Sequence, residues 1–275
     1  MSHGAFKGSR RSPGRVFCLS LSTTTLLVAL LVTTIPVLTR DIPLDKRKSS
    51  YEQMSADTRA MQDEDTANPG MLWVVDGQAA WRAKVGASER SCADCHDAPN
   101  AMKGVAARYP AFDGQRGAPV DLETRINICR TEHQQAPPLA FESTELLALT
   151  AYIARQSRGM SVESADARLE PFIAGGRAIF ERRQGQLNLA CAHCHDDSWG
   201  QKLAGIPVPQ GHPTGYPLYR LEWQTLGSLQ RRLRNCLIGM RAEIYPYGAP
   251  EYVALETFLM WRARGMPMET PGVRP

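Results

Sequence analysis

The 275-residue sequence predicts a mainly α-helical fold of two tandem domains that are related by internal duplication. The first observation is a pair of Cys-x-x-Cys-His motifs, at 92–96 and 191–195. The second is a repeat, in which an Arg/Leu-rich stretch, a lone cysteine, a proline-containing loop, an amphipathic segment and Gly-Met follow each motif. The third is that apolar residues recur at three- and four-residue spacing without any run of alternating strands.

The first forty residues have the pattern of a targeting segment. Four basic residues between positions 7 and 15 precede an uncharged apolar run from 16 to 38. This pattern is typical of a cleaved signal peptide or of a retained N-terminal membrane anchor, and we assign residues 1–40 to it. In either case the positive charges predict that the remaining chain lies outside the cytoplasm, in the periplasm.

The basic character of the chain belongs to this segment. Residues 1–40 hold five of the 32 Lys and Arg residues and none of the 28 Asp and Glu residues. The rest therefore has 27 basic and 28 acidic residues, a net charge of −1. Such a balance gives no reason to expect nucleic-acid binding, which needs a basic surface.

Changes in composition divide the remainder of the chain. Residues 41–69 are polar and charged without a sustained apolar period, which predicts a solvated leader. The first domain then covers 70–160 and the second 172–275, with a polar, acidic linker at 161–171. Apolar stripes predict a closing helix in each domain, at 145–155 and 250–264.

The two motifs predict covalently bound haem. Thiols separated by two residues lie on one helical turn, where both can form thioethers to haem, and the adjacent histidine binds the iron. A zinc site or a thioredoxin-like centre would explain the cysteine pairs but not a histidine directly after each pair. We therefore predict a c-type cytochrome with two haem c groups, held by Cys92, Cys95 and His96 and by Cys191, Cys194 and His195.

Two cysteines remain after this assignment. Of the seven in the chain, four belong to the motifs and Cys18 lies in the targeting segment, which leaves Cys129 and Cys236. They occupy equivalent places in the repeat, where a distal haem ligand could lie. Two alternatives stay open: a disulfide between them, and a methionine as the sixth ligand, for which the candidates are Met160, Met240, Met260, Met266 and Met268.

A basic segment surrounds Cys236. If residues 230–241 are helical, Arg232 shares a face with Cys236 because it precedes it by four residues. A neighbouring cation favours the thiolate and can bind a small anion. The other basic residues of the segment, Arg231 and Arg234, are more typical of a solvated face.

The chain resembles a known family from about Trp73 onward: SoxA, the dihaem cytochrome subunit of the L-cysteine S-thiosulfotransferase of the sulfur-oxidation system. The most specific part is Arg-Asn-Cys-Leu at 234–237. It is followed by further matching positions: Arg241, Glu243, Tyr245-Pro246, Gly248, Glu251-Tyr252, Leu255, Gly265 and Pro271-Gly272-Val273-Arg274.

The resemblance implies a ligand set and a mechanism. His96 and Cys129 would be axial to the first haem, and His195 and Cys236 to the second. Cys236 would be the catalytic residue, carrying a persulfide sulfur, and Arg232 would bind the substrate oxyanion. The family also implies a small monohaem cytochrome subunit as heterodimer partner, a sulfur-carrier protein as co-substrate, and thiosulfate as sulfur donor.

Two other functions are compatible with two haems. One is a dihaem electron carrier with His/Met coordination, in which the spare cysteines are incidental. The other is a dihaem peroxidase, which needs an acid or base to handle peroxide. His133 and His212 lie in Pro- and Gln- or Gly-rich loops, where we expect surface histidines instead.

Overall fold

Helices make up most of the regular structure in the computed structural model, which describes residues 1, 4, 41–164 and 166–275. The described residues contain the helices α1 Ala56–Asp63, α2 Gly70–Arg82, α3 Ala93–His96, α4 Leu122–Glu132, α5 Thr144–Arg155, α6 Glu170–Glu181, α7 Cys191–His195, α8 Leu229–Gly239 and α9 Pro250–Arg262. Short 3₁₀ helices lie at Leu44–Lys46, Ser50–Gln53, Pro99–Met102, Ala106–Arg108 and Ala167–Leu169. The mainly α-helical prediction is confirmed.

Both closing helices form where the apolar stripes predicted them. Ser143 caps α5, because its hydroxyl accepts a hydrogen bond from the Leu146 amide at 3.2 Å. Helix α9 ends at Arg262, two residues before the predicted end. The chain leaves helical geometry at Ala263, and Gly265 adopts a positive φ of 83° shortly after it.

The strands are short and connect the helical parts. They are β1 Ala111–Asp113, β2 Ala118–Val120, β3 Lys202–Leu203, β4 Ile206–Pro207, β5 Leu218–Arg220, β6 Thr225–Gly227 and β7 Gly272–Arg274. β1 pairs with β2 and β3 with β4, both antiparallel. β5 lies between antiparallel β6 and parallel β7, so the last residues of the chain join the loop that follows the second motif.

Two helix crossings organise the fold, one in each half of the chain. Helix α2 packs on α5, and α6 packs on α9. A Cβ atom on Gly77 would lie 2.1 Å from the carbonyl oxygen of Ala148, and one on Gly176 would lie 2.0 Å from that of Ala254. Each crossing therefore requires glycine at its closest point.

Aromatic side chains fill the core beside each crossing. In the first half the ring centroids of Trp81 and Tyr152 are 5.8 Å apart. In the second half Phe180 and Phe258 form the matching pair at 5.3 Å. All four side chains are buried, and each pair supports the helix that bears the haem motif of its own half.

Cys129 and Cys236 occupy the same place in equivalent helices. Each is the eighth residue of its helix, α4 or α8, and the offset between them is 107 residues, from 129 to 236. The same offset relates the N-caps Asp121 and Ser228, which both accept a hydrogen bond from the backbone amide three residues on. The duplication inferred from sequence thus extends to single residues.

The polar segment 41–69 is bound to the fold, contrary to the solvated leader expected from its composition. Its buried polar side chains bind the C-terminal strand: Asn68 donates to the Pro271 carbonyl at 2.9 Å, and the Val273 amide donates to Gln62 at 3.0 Å. Arg274 also donates to Gln62. Hydrogen bonds, which apolar periodicity does not reveal, hold this segment in place.

The remaining boundaries stay predictions, with one structural detail at the linker. Val162 is buried and its amide donates to the Met266 carbonyl at 2.8 Å, so the first part of 161–171 pairs with the chain end. The targeting segment predicted at 1–40 lies outside the described residues except for positions 1 and 4. Within the described residues, no helix has the length and apolar character needed to cross a membrane.

Candidate active site

Each half of the chain contains a cavity at its Cys-x-x-Cys-His motif. The first cavity, of about 240 Å³, is lined by Cys92, Cys95, His96 and Cys129 together with largely apolar side chains. The second cavity, of about 150 Å³, is lined by Cys191, His195 and Cys236. Cys194 is half-buried beside it on α7. The structure thus brings each motif together with one of the two spare cysteines.

The proximal histidine of the second motif has a fixed orientation. Its Nδ1 donates to the Pro209 carbonyl at 2.7 Å, because a carbonyl oxygen can only accept. The ring of Phe180 packs against it with centroids 6.2 Å apart. Nε2 of His195 is therefore the ring nitrogen available to Cys236 and, when haem is bound, to the iron.

Helix α8 presents one face to the second cavity. Ser228 caps the helix, with its hydroxyl accepting from the Arg231 amide at 3.1 Å. The side chains that line the cavity follow at helical spacing: Leu229, Arg232, Leu233 and Cys236. The helix predicted around Cys236 is confirmed, and Arg232 shares the face of Cys236 as its position four residues earlier implied.

Electrostatics distinguish the two spare cysteines. Burial opposes ionisation of Cys236, but a hydrogen bond with His195 and the charge of Arg232 outweigh it, so the pKa lies below that of an ordinary thiol. Burial raises the pKa of Cys129, and the nearby Arg125 only partly offsets this effect. Cys236 is thus the better thiolate of the two.

Both cavities fit a covalently bound haem c. Each combines apolar walls with the two-thiol-and-histidine motif that haem attachment requires, and each adds a sulfur that can act as second axial ligand. All six described cysteines are unbridged. Cys129 and Cys236 line different cavities, so the structure does not contain the disulfide that stayed open from sequence.

The five methionines proposed from sequence as sixth ligands do not line the two cavities. Met160, Met240, Met260, Met266 and Met268 are absent from the walls of both cavities. Met54 does line the second cavity, but its sulfur accepts a hydrogen bond from Arg274 at 3.7 Å. Met102 lines the first cavity. Among the described residues, each cavity thus contains one methionine, and neither is among the candidates proposed from sequence.

His212 departs from the surface role expected for it. It is buried, its Nδ1 donates to the Lys48 carbonyl at 2.8 Å, and its Nε2 has no hydrogen-bond partner among the described residues. Burial lowers the pKa of His212 to about 4. His212 lines the second cavity as a neutral imidazole. His133 is exposed as expected, but it also lines the first cavity.

Sequence reasoning assigned no catalytic or substrate-binding role to two further residues of the second cavity, Tyr216 and Arg220. Tyr216 lies two residues before β5 and Arg220 is the last residue of that strand, and both, like Arg232, act electrostatically on Cys236. Neither belongs to a recognisable motif. Aligning the two halves at the 107-residue offset would have paired Tyr216 with Tyr109 and Arg220 with Asp113.

A helical chain with Cys-x-x-Cys-His turns at two apolar cavities is a c-type cytochrome. A family model described as "SoxA/TsdA, cytochrome c domain" matches it twice, at residues 76–162 and 175–268. The chain belongs to the SoxA family. A cytochrome c domain carries covalently bound haem c.

Relatives and a solved structure agree with this assignment. The L-cysteine S-thiosulfotransferase subunit SoxA of Pseudaminobacter salicylatoxidans is 38% identical over 89% of this chain and 88% of its own length. The subunit of the same name from Paracoccus pantotrophus is 33% identical over 79% of this chain and 75% of its own. The crystal structure of SoxXA from P. pantotrophus superimposes with a TM-score of 0.80 at 32% identity, covering 83% of this chain and 87% of that one.

Proposed function

We propose that this chain is the catalytic, haem-bearing subunit of an L-cysteine S-thiosulfotransferase in sulfur oxidation. The enzyme would join thiosulfate oxidatively to a cysteine of a sulfur-carrier protein. The observation that carries the proposal is the position of Cys236, which lines the second cavity with His195 and with Arg232, one helical turn away. The names of the relatives support the same activity.

Two covalent haem c groups belong to this proposal. The thioether bonds would be made by Cys92 and Cys95 and by Cys191 and Cys194. The axial ligands would be His96 and Cys129 for the first haem, and His195 and Cys236 for the second. When bound, the haems supply the one-electron acceptor chemistry that an oxidative coupling needs.

Atoms and electrons balance in the coupling of thiosulfate to the carrier cysteine. Joining the outer sulfur of thiosulfate to a thiol forms one S–S bond and releases one proton and two electrons. When bound, haem groups of the complex would accept the electrons, and the proton would leave from the carrier's thiol. The chain's own task is to hold the anion and a reactive sulfur together while water is excluded.

The residues of the second cavity can perform that task. The charge of Arg232, one helical turn from Cys236, favours the thiolate form of the sulfur that would bear the persulfide. The guanidinium of Arg232 would bind the sulfonate oxygens of thiosulfate. Leu229 and Leu233, on either side of Arg232 along α8, make the surroundings apolar and so strengthen this attraction.

The proposal includes two protein partners and a compartment. The structural match to a SoxXA complex supports a heterodimer with a small monohaem cytochrome subunit. The carrier protein, whose cysteine would receive the thiosulfate, follows from the reaction itself. Covalent haem attachment and the basic segment before residue 41 support the periplasm.

Replacing each spare cysteine in turn tests the proposal. We expect Cys236→Ser in the complete complex to lower thiosulfate-dependent turnover by about 10³-fold or more, because it removes the reacting sulfur. Cys129→Ser is the matched control, since it changes the equivalent residue of the first cavity and should leave most of the turnover intact. Turnover by Cys236→Ser close to that of the unaltered protein would instead make the chain an electron carrier.

A further inference from the structure

The two halves of the chain differ at one pair of equivalent charged positions. At the 107-residue offset that relates Cys129 to Cys236, Arg125 corresponds to Arg232, and each precedes its cysteine by four residues. The last residue of the equivalent strand is Asp113 in β1 but Arg220 in β5. A carboxylate in the first half is thus replaced by a guanidinium in the second.

In the first half the arginine is neutralised by its own protein. Arg125 Nη2 lies 2.6 Å from Asp113 Oδ2, and Asp113 is buried. The other carboxylate oxygen accepts from the amides of Gln115, at 2.8 Å, and Arg116, at 3.0 Å. The fold itself therefore holds the counter-charge of Arg125 in place.

In the second half the corresponding arginines lack such a partner. Arg220 is only 6% exposed, and its buried Nε has no hydrogen-bond partner among the described residues. Its ion pair with Glu222 is long, at 3.4 Å, and that carboxylate is 60% exposed. For the Arg232 side chain, no hydrogen bond or ion pair to any described residue is formed.

The guanidinium groups of Arg220 and Arg232 belong to the lining of one cavity. Both line the second cavity together with Cys236. Burial and then the charge of Arg232 lower the pKa of Arg220, as expected for like charges with little solvent between them. Two buried cations without a fixed counter-ion are costly unless an anion binds between them.

We propose that Arg220 and Arg232 together form the binding site for a small doubly charged oxyanion beside Cys236. This inference deepens the proposed function, because the sulfonate group of thiosulfate has the required chemistry. It also gives a reason why only the second half would transfer sulfur. The first half carries the equivalent cysteine and arginine, but Asp113 occupies the place of the anion.

A haem propionate is the other carboxylate-like anion that could pair with Arg220. Arg220, Arg232 and Cys236 line the same cavity, so an anion that pairs with both arginines would lie beside the reacting sulfur, as the substrate must. Pairing of Arg220 with the substrate and pairing with a propionate can be distinguished by measuring thiosulfate binding and the haem's reduction potential. Loss of a substrate contact weakens thiosulfate binding and leaves the haem unchanged, whereas loss of a propionate contact shifts the haem's reduction potential.

The first half of the chain suggests the variant to make. Arg220→Asp installs the residue found at the equivalent position, and Asp113 shows that an aspartate fits the end of such a strand beside an arginine. Arg220→Lys keeps the charge. Arg183→Asp is the control outside the site, because it makes the same charge reversal at an exposed arginine.

The measurements are made on holoprotein in its complex. Equilibrium dialysis with labelled thiosulfate, without the carrier protein, gives Kd, and steady-state assays give KM and kcat. We expect Arg220→Asp to raise Kd and KM by about tenfold or more, as loss of a charge-assisted hydrogen bond does. Arg220→Lys should recover most of the affinity and Arg183→Asp should match the unaltered protein, with haem spectra and potentials unchanged throughout.

Two results would overturn the inference. One is a Kd within twofold of the unaltered protein for Arg220→Asp. The other is an unchanged Kd with a shifted haem potential, which would assign Arg220 to a propionate. Dialysis with labelled sulfate, an unreactive dianion, separates this inference from the proposed function, because weaker sulfate binding by Arg220→Asp supports the site even if the complex does not turn over thiosulfate.

Discussion

Asp121 and Gln230 join the two halves of the chain through a buried hydrogen bond, in which Asp121 Oδ2 accepts from Gln230 Nε2 at 2.7 Å. Gln230 Oε1 in turn accepts from the Gly248 amide at 2.7 Å. Both side chains are almost fully buried, at 2% exposure each. One amide therefore links helix α8, which bears Cys236, to the cap of helix α4 and to the loop before α9.

Removing this hydrogen-bonded link should lower the stability of the folded protein. We expect Gln230→Leu to lower the free energy of unfolding by about 1–3 kcal/mol, because the Asp121 carboxylate and the Gly248 amide lose their partner. Urea denaturation of the holoprotein measures the change. Gln115→Leu is the control, since the side chain of Gln115 is exposed. Equal stability of the two variants would contradict a linking role for Gln230.

Carboxyl groups around this link make the stability depend on pH. Burial, followed by the charge of Asp121, raises the pKa of Glu123 from 4.5 to about 8, and burial raises that of Glu256 as well. Between pH 4.5 and about 8, Glu123 is therefore protonated to a greater extent in the folded state than in the unfolded state. Stability should fall as the pH rises from about 4.5 towards 8.

Glu123→Gln tests the origin of that fall. The variant cannot ionise at this position, so its urea midpoint should decline less steeply between pH 5 and about 8 than that of the unaltered protein. Glu145→Gln, at an exposed carboxylate, should leave the profile unchanged. Parallel profiles for Glu123→Gln and the unaltered protein would show that another group sets the pH dependence.

Adjacent glycines in α6 provide a matched test of the second helix crossing. A Cβ on Gly176 would clash with the Ala254 carbonyl, whereas one on the exposed Gly175 would meet nothing within 4 Å. We expect Gly176→Ala to cost about 2 kcal/mol or more of unfolding free energy, and Gly175→Ala to stabilise the helix by up to about 1 kcal/mol. Denaturant unfolding compares them, and equal values would contradict the close crossing.

The contact between segment 41–69 and the C-terminal strand is open to proteolysis. Arg274 donates to Ser50, Gln62 and Glu269, so Arg274→Ala should release the segment and speed tryptic cleavage after Arg59. Arg168→Ala removes an exposed arginine whose ion pair is with nearby Asp166, and should leave the cleavage rate unchanged. Equal rates in both variants would mean that other contacts hold the segment.

Sequence predicts those parts of the molecule in which local pattern determines structure. The apolar stripe before Arg155 predicted α5 to within one residue, and the spacing of Arg232 and Cys236 predicted their shared helix face. These features depend on helix geometry alone. The family resemblance then supplied roles for residues whose spacing left several ligands open.

Other features depend on contacts between distant parts of the chain. Segment 41–69 has no apolar period, because its buried side chains, such as Gln62 and Asn68, are held by hydrogen bonds to residues about two hundred positions away. His212 looks like a loop residue until the Lys48 carbonyl covers it. Arg220 becomes informative only when Asp113 is recognised as its counterpart, which requires strand β5 to be aligned with β1.

The central claim is that Cys236 is the sulfur-bearing catalytic residue of a dihaem protein. The most direct measurement is the intact mass of the holoprotein from its native compartment under non-reducing conditions, followed by mapping of the peptide that contains Cys236. We expect two covalent haems and one additional sulfur on Cys236 that cyanide removes. A Cys236 that carries no added sulfur after exposure to thiosulfate, or that is found in a disulfide with Cys129, would contradict it.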